Sequence, residues 1–289
     1  SPKVLSVDKK INLMDRFLYV VGEVARCTEK DNIEDILQGP NLRSLVEQLK
    51  PAAYSEAEKV FVEHFGKGTV FKEYHSLKRR PKEAIREVLN NMANGMKHFL
   101  GSEIETVGDL RNYCYYAAGA VGDFLTKLVY IEDEVNLDQE GARDLGMFLQ
   151  LTNIIKNGRE DYNAGRIYWP AEFFPRGMSQ EFLVESQDES AKKARAESLE
   201  KMLRLAESCV PNSKEYIKSI PKTLIGYTVF CTVPFMTGVE TLDLIRESGA
   251  ERVFQGDNSA IKISRESLKY LLDLAEKTFG QKNRYSQPI

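Results

Sequence analysis

The sequence predicts an all-α fold. Apolar residues recur at steps of three and four in almost every segment, the period of a helix face. No segment sustains the period-two alternation of a strand. Stretches between periodic segments are short and no low-complexity linker divides the 289 residues, so one helical domain over 1–289 is expected.

In chain order, Leu13, Phe17, Val20, Val21 and Val24 mark a first amphipathic helix. A short helix over 42–49 ends at Pro51, and helices over 55–65 and 70–77 follow. Pro81 fits the first turn of a helix running to residue 100, because its missing N–H costs nothing there. A long helix over 109–130 carries Tyr113, Tyr116, Ala117, Ala120, Val121, Phe124 and Leu128 on one side. Helices over 141–160, 190–209, 213–220, 224–248 and 264–278 complete the set. The polar run 186–190 is the expected mobile loop.

A hydrophobic content of 42% with 29% charged residues is that of an ordinary globular chain. A net charge of −3 supplies no global field for nucleic acid, so no nucleic-acid partner is expected. Cys27, Cys114, Cys209 and Cys231 are far apart and form no C-x-x-C pair, which favours reduced core thiols over a disulfide frame or a zinc site. No uninterrupted run reaches 18 apolar residues and no signal peptide is visible, so a cytoplasmic location is expected. His64, His75 and His98 are scattered without metal spacing and receive no role.

The most informative stretch is 146–170. Met147, Leu151, Ile154 and Ile155 form an apolar stripe. Gln150, Asn153, Asn157, Glu160 and Asp161 recur at three- and four-residue steps and stack along an adjacent polar strip. Oxygen donors so spaced suit a hard cation such as Mg²⁺, which takes one or two protein oxygens and completes its shell with water and phosphate. Lys156 and Arg166 add positive charge for a polyanion. An ordinary surface helix with a turn at Gly165 would show the same spacing.

This stretch resembles the second aspartate-rich motif of the squalene/phytoene synthase family, F-L-Q-x-T-N-I-I-R-D-x-x-E-D followed by G-R-x-x-W/L-P. The match runs through Phe148-Leu149-Gln150, Thr152-Asn153-Ile154-Ile155, Glu160-Asp161, Gly165-Arg166 and Trp169-Pro170. The run Tyr113-Cys114-Tyr115-Tyr116 through Gly119 and Gly122 is similar to Y-C-x-Y-V-A-G-x-V-G. Each of those glycines costs a helix about 1 kcal/mol relative to Ala, which close helix approach or room for a prenyl chain would explain. Phe230-Cys231-Thr232-Val233-Pro234 resembles F-C-A-I-P, Val253-Phe254-Gln255-Gly256 with Ile261-Lys262-Ile263 resembles V-F-K-G…K-I-R, and 91–100 resembles R-M-G-x-G-M-x-x-F-L.

The resemblance implies an isoprenoid-synthase-type bundle around a central cavity, ionising farnesyl diphosphate with Mg²⁺ and joining two such molecules head to head. Squalene synthases in the family then use NADPH. It implies Tyr116, Lys156 and Arg166 as catalytic residues; Gln150, Asn153, Phe230 and Lys262 as substrate contacts; and Asn157, Glu160 and Asp161 as metal ligands. The implied partner is an isoprenoid diphosphate, with peripheral membrane association, since eukaryotic relatives often carry a C-terminal anchor.

Four departures accompany the likeness. Asn157 replaces the first aspartate of the motif, and Lys156 replaces an arginine, losing bidentate phosphate geometry. The S-R-S-F helix that precedes the first motif in the family has no counterpart in this sequence. The first acidic motif has two candidate positions: 25–29, which carries few of the acids, and 31–35, a literal D-x-x-E-D. On a helix continuous with the first, Val24, Asp31 and Asp35 would share one face, making Asp31 and Asp35 ligands; a solvated helix end is the alternative. Two rival functions follow: prenylation of a small acceptor or cyclisation at one diphosphate site, and a non-catalytic binding or assembly module.

Overall fold

The computed structural model describes residues 5–28, 31–50, 55–256 and 261–279, and these are helical with no strand among them. The chain forms two compact units, one of residues 1–102 with 131–134 and the other of 103–130 with 135–289.

In the first unit, α1 (Val7–Arg26) starts at Ser6, whose side chain accepts from the Lys9 N–H. Its buried face is Val20, Val21 and Val24. The helix stops at Cys27, which turns extended (φ −62°, ψ 124°). A one-turn helix α2 (Ile33–Leu37), too short for a periodic signal, restarts from the Asn32 cap. Then come α3 (Pro40–Leu49), with proline in its first turn, and α4 (Glu56–Gly66), opened by a reciprocal Ser55–Glu58 capping box. Next are α5 (Thr69–Ser76) and α6 (Arg79–Phe99), whose first turn buries Pro81. Helices α3, α5 and α6 pack on α1. Leu42, Leu45, Phe65, Phe71 and Tyr74 fill the core.

The second unit is built around α9. A Thr106–Asp109 capping box opens α7 (Val107–Cys114). The expected continuous helix over 109–130 is interrupted by a π turn (Tyr115–Gly119) before α8 (Ala120–Asp133). Asp138 caps α9 (Gln139–Lys156), which buries Leu145, Phe148, Leu151 and Ile155. The expected helix over 141–160 is also split: Asn157 (φ −96°, ψ 14°) ends α9, and α10 (Gly158–Asn163) follows at once.

The short α11 (Gln180–Glu185), unmarked in the sequence, precedes α12 (Glu189–Glu207) and α13 (Val210–Ser219). The long α14 (Ile225–Gln255) is broken at Gly249 (φ 77°), where the apolar pattern also stops, and α15 (Arg265–Phe279) ends the described chain. Helices α12, α13 and α14 pack on α9.

The run 186–190 is tied down rather than loose. Arg195, fully buried, donates to the Ser186 and Leu183 carbonyls and grips Glu251 with Nε and Nη2. Gln255 also donates to the Ser186 carbonyl, and Glu189 and Ser190 already belong to α12. Among the described residues, α14 has the length and composition of a membrane-crossing helix although it contains no unbroken apolar run of 18. Its Cys231, Thr232, Leu242 and Ile245 are buried in the second unit.

Candidate active site

Glycines bring the backbones of α8 and α9 together. A Cβ on Gly122 would overlap the Ala142 carbonyl, with its carbon only 2.5 Å away, and one on Gly146 would lie 2.5 Å from the Ala118 carbonyl oxygen. Close approach therefore explains these positions, and Gly119 is tight against Tyr115 and Met147 as well. Beside this contact lies an apolar cavity of about 210 Å³, lined by Ala118, Val121, Gly122, Gly146, Leu149 and Phe230 among others. Tyr216, Tyr227 and Cys231 also line it, and the two tyrosine hydroxyls meet at 2.6 Å. Burial pushes both phenols up and the Cys231 thiol up to about 11, so this wall is neutral near pH 7. Phe230, expected as a substrate contact, stands at this cavity with its ring stacked on Tyr227 and 58% exposed.

The polar strip lies on α9 and α10. Gln150 and Asn157 are half-buried and Asn153 is exposed. Asn157 Nδ2 donates to Asn153 Oδ1 at 3.0 Å, so the two amides form one face. Lys156 is half-buried and Glu160 exposed. Asp161 turns inward and is buried, and its Oδ1 accepts from Arg166 Nε at 2.9 Å and Nη2 at 2.7 Å. Gly165 (φ 70°) makes the bend that returns Arg166, whose N–H also donates to the Asp161 carbonyl at 2.8 Å. Burial raises the Asp161 carboxyl above the ordinary aspartate range despite the guanidinium beside it. Beyond the bend, Tyr168 stacks on Tyr113 and Trp169 packs on Phe254, both at 4.6 Å between ring centroids.

Tyr116 lies half-buried in the π turn, edge-on to Tyr115. Such turns are rare and cluster at functional sites, and apolar periodicity gives no warning of one. A second polar cluster also escaped the sequence reading: Asp123 Oδ2 accepts from Arg143 Nε at 2.9 Å and from the Tyr115 hydroxyl at 3.2 Å. Its one signal was an aspartate inside the apolar run Ala120-Val121-Gly122-Asp123-Phe124-Leu125. Lys262 is exposed and does not line the cavity.

The first acidic motif lies in the first unit. Because the chain leaves the helix at Cys27, Val24, Asp31 and Asp35 do not share a continuous helix face. Asp31 Oδ2 accepts from the Thr28 N–H and hydroxyl, both at 2.7 Å, and this bonding lowers its pKa. Asp35 Oδ1 accepts from Asn32 at 3.2 Å, and both aspartates are exposed. At the alternative position, residues 25–28 carry no carboxylate, and Glu29 lies outside the described residues.

No trio of acidic, histidine or cysteine side chains able to hold a metal is assembled among the described residues. The donors at 157–161 are one exposed carboxylate, one carboxylate shared with arginine and a neutral amide oxygen. That set fits Mg²⁺ only as a partial shell, with phosphate and water supplying the rest.

Helix α9 thus supplies both a wall of an apolar cavity and a strip of amide and lysine side chains, which α10 extends with carboxylates. The sequence profile of the squalene/phytoene synthase family matches residues 24–267, and the chain belongs to that family. The chain is 30% identical to the squalene synthase of Eremothecium gossypii over 285 residues, covering 90% of this chain and 61% of that protein. It is 26% identical to the squalene synthase of Cyberlindnera jadinii, covering 78% and 54%. It thus spans little more than half the length of these relatives. A ligand complex of TcSQS superposes with a TM-score of 0.63 at 23% identity, covering 99% of this chain and 87% of that one. A dehydrosqualene synthase in complex with a ligand superposes at 0.52 and 24% identity, covering 92% and 87%. These two likenesses establish the shared all-α fold.

Proposed function

We infer that the protein is a prenyltransferase of the squalene synthase type, ionising farnesyl diphosphate and joining two molecules into presqualene diphosphate and then squalene. The observation that carries this reading is α9 itself: one helix supplies Leu145, Gly146 and Leu149 to an apolar cavity and Gln150 and Asn153, with Asn157 at its C-cap, to a polar strip. The apolar wall would hold the prenyl chain and keep water from an allylic cation. Gln150 and Asn153 would orient the diphosphate, Lys156 and Arg166 would offset its charge as it departs, and Tyr116 would sit near the reacting carbons. Asn157, Glu160 and Asp161 would hold Mg²⁺, which supplies further charge neutralisation for the leaving diphosphate. NADPH supplies a hydride where squalene is the product. The setting is cytoplasmic, at a membrane surface that receives the apolar product.

A second reading keeps the diphosphate chemistry with a single diphosphate site, acting on a small acceptor or by cyclisation. It is favoured by the neutral Asn157 and by the lack of carboxylates at 25–28. Incubation with farnesyl diphosphate and Mg²⁺, with and without NADPH, followed by mass spectrometry, separates the readings. Squalene with NADPH and presqualene diphosphate without it are expected. Products holding one farnesyl unit select the second reading, and no diphosphate release at all refutes both.

A further inference from the structure

The cluster of Asp123, Arg143 and the Tyr115 hydroxyl adjoins the π turn, and the two features depend on each other. The turn closes where the Ala120 N–H reaches back five residues to the Tyr115 carbonyl. On a straight α-helix, residues eight apart, such as Tyr115 and Asp123, point about 80° apart. The π turn absorbs one residue, which leaves the spacing of a heptad and about 20° between them. The bond of 3.2 Å from the Tyr115 hydroxyl to Asp123 Oδ2 therefore favours the π form over a straight helix. Arg143 of α9 bonds the same carboxylate. Its Nε donates to Oδ2 at 2.9 Å and lies 2.8 Å from Oδ1, out of line for a second bond. Its guanidinium also stands 5.9 Å from the centre of the Tyr115 ring. The Asp123 side chain is 17% exposed, so water competes weakly for these contacts. One turn further along α9, Gly146 leaves room for the Ala118 carbonyl and Met147 lies against Gly119. The same stretch of α9 thus holds the start of the π turn through Asp123 and Tyr115, and its end through Gly119.

We propose that Asp123 and Arg143, with the Tyr115 hydroxyl, are positioning residues: they latch the π turn that presents Tyr116. The inference rests on the prenyltransferase reading, in which Tyr116 stands near the reacting carbons. Tyr116 is the second residue of the turn, edge-on to Tyr115 with 5.2 Å between ring centroids. The next two residues, Ala117 and Ala118, line the apolar cavity. Relaxation of the turn to a straight helix would rotate the residues before it by one helical step, about 100°, relative to α8. The latch therefore fixes both the direction of the Tyr116 ring and the wall beside it.

Two measurements on the full chain test the latch without turnover: hydrogen exchange by mass spectrometry over 115–120, and the Tyr116 signal of 3-fluorotyrosine-labelled protein, assigned with Tyr116→Phe. Tyr115→Phe keeps the ring and removes only the hydroxyl. It should speed exchange in the turn about fivefold, the weight of one ordinary hydrogen bond, and shift the Tyr116 signal. Asp123→Leu should speed exchange at least about tenfold, and Asp123→Asn, which keeps an acceptor oxygen, should fall between it and the wild type. Peptides of α12 should exchange as in the wild type. With farnesyl diphosphate and Mg²⁺, Tyr115→Phe should lower kcat about tenfold and leave KM within about twofold, because the polar strip is untouched. Unchanged exchange and an unmoved Tyr116 signal in both Tyr115→Phe and Asp123→Leu overturn the proposal. So does faster exchange spread evenly over the helices of the second unit, or an unchanged kcat beside a displaced Tyr116. A wild-type protein without turnover, with the exchange and signal changes as expected, refutes the prenyltransferase reading and leaves the latch standing.

Discussion

The Asp161–Arg166 pair separates two roles for the same carboxylate, metal ligand and loop clamp. The Asp161 side chain is 13% exposed and that of Arg166 50%. Breaking a buried pair by removing one partner costs about 3–5 kcal/mol, whereas an exposed pair is worth about 0–1 kcal/mol. With one partner buried and the other half in water, Arg166→Ala should cost about 1.5–3 kcal/mol, because it strands a buried carboxylate. Asp161→Asn keeps an oxygen for the guanidinium and removes the charge that burial disfavours, so it should cost about 1 kcal/mol or less. The double variant should resemble Asp161→Asn alone, so the coupling should equal the cost of Arg166→Ala, about 1.5–3 kcal/mol. Urea unfolding of the four proteins measures this cycle.

The pH dependence has a definite sign. A carboxyl whose pKa is raised on folding binds protons more tightly in the native state, so its contribution to stability is greatest in acid and falls as pH rises from the ordinary aspartate value through the raised one. Asp161→Asn should remove that part of the slope, and Arg166→Ala should steepen it. Diphosphate release measured on the same samples reads the other role: a fall of orders of magnitude in Asp161→Asn, with stability nearly unchanged, assigns the carboxylate to the metal. Additive effects of the two substitutions on stability, with no change of slope, would refute the clamp.

Gly122→Ala forces a methyl into the Ala142 carbonyl and should cost about 2–3 kcal/mol, a fall of about 4–10 °C in Tm by scanning calorimetry. Asn157→Asp loses the amide donor to Asn153 and sets oxygen against oxygen, so it should lower stability by about 1 kcal/mol in EDTA and recover it with Mg²⁺ and inorganic diphosphate; equal melts in both conditions would show that no cation sits there. All four cysteines are buried with raised pKa values, so a disulfide reagent at pH 8 should label the native protein slowly and the urea-unfolded protein quickly; rapid labelling of Cys231, near 11 by burial, would contradict its closed setting.

Apolar spacing alone was enough to reveal α1, α4, α9 and α12, because each must bury one stripe and the period of that stripe survives in the residue order. It also located the polar strip of α9 and the break of the long helix at Gly249. Helix α2 was too short to show a period, and the π turn at Tyr115–Gly119 inserts its extra residue without changing composition. The partners of the strip were equally hidden. That Asp161 bonds Arg166, that Arg195 ties the run 186–190 to Glu251, and that Asp123 meets Arg143 are contacts fixed by how the chain bends and packs. A charge written in sequence has a type and a place along the chain, and only the folded backbone decides whether water, a ligand or another charge stands beside it.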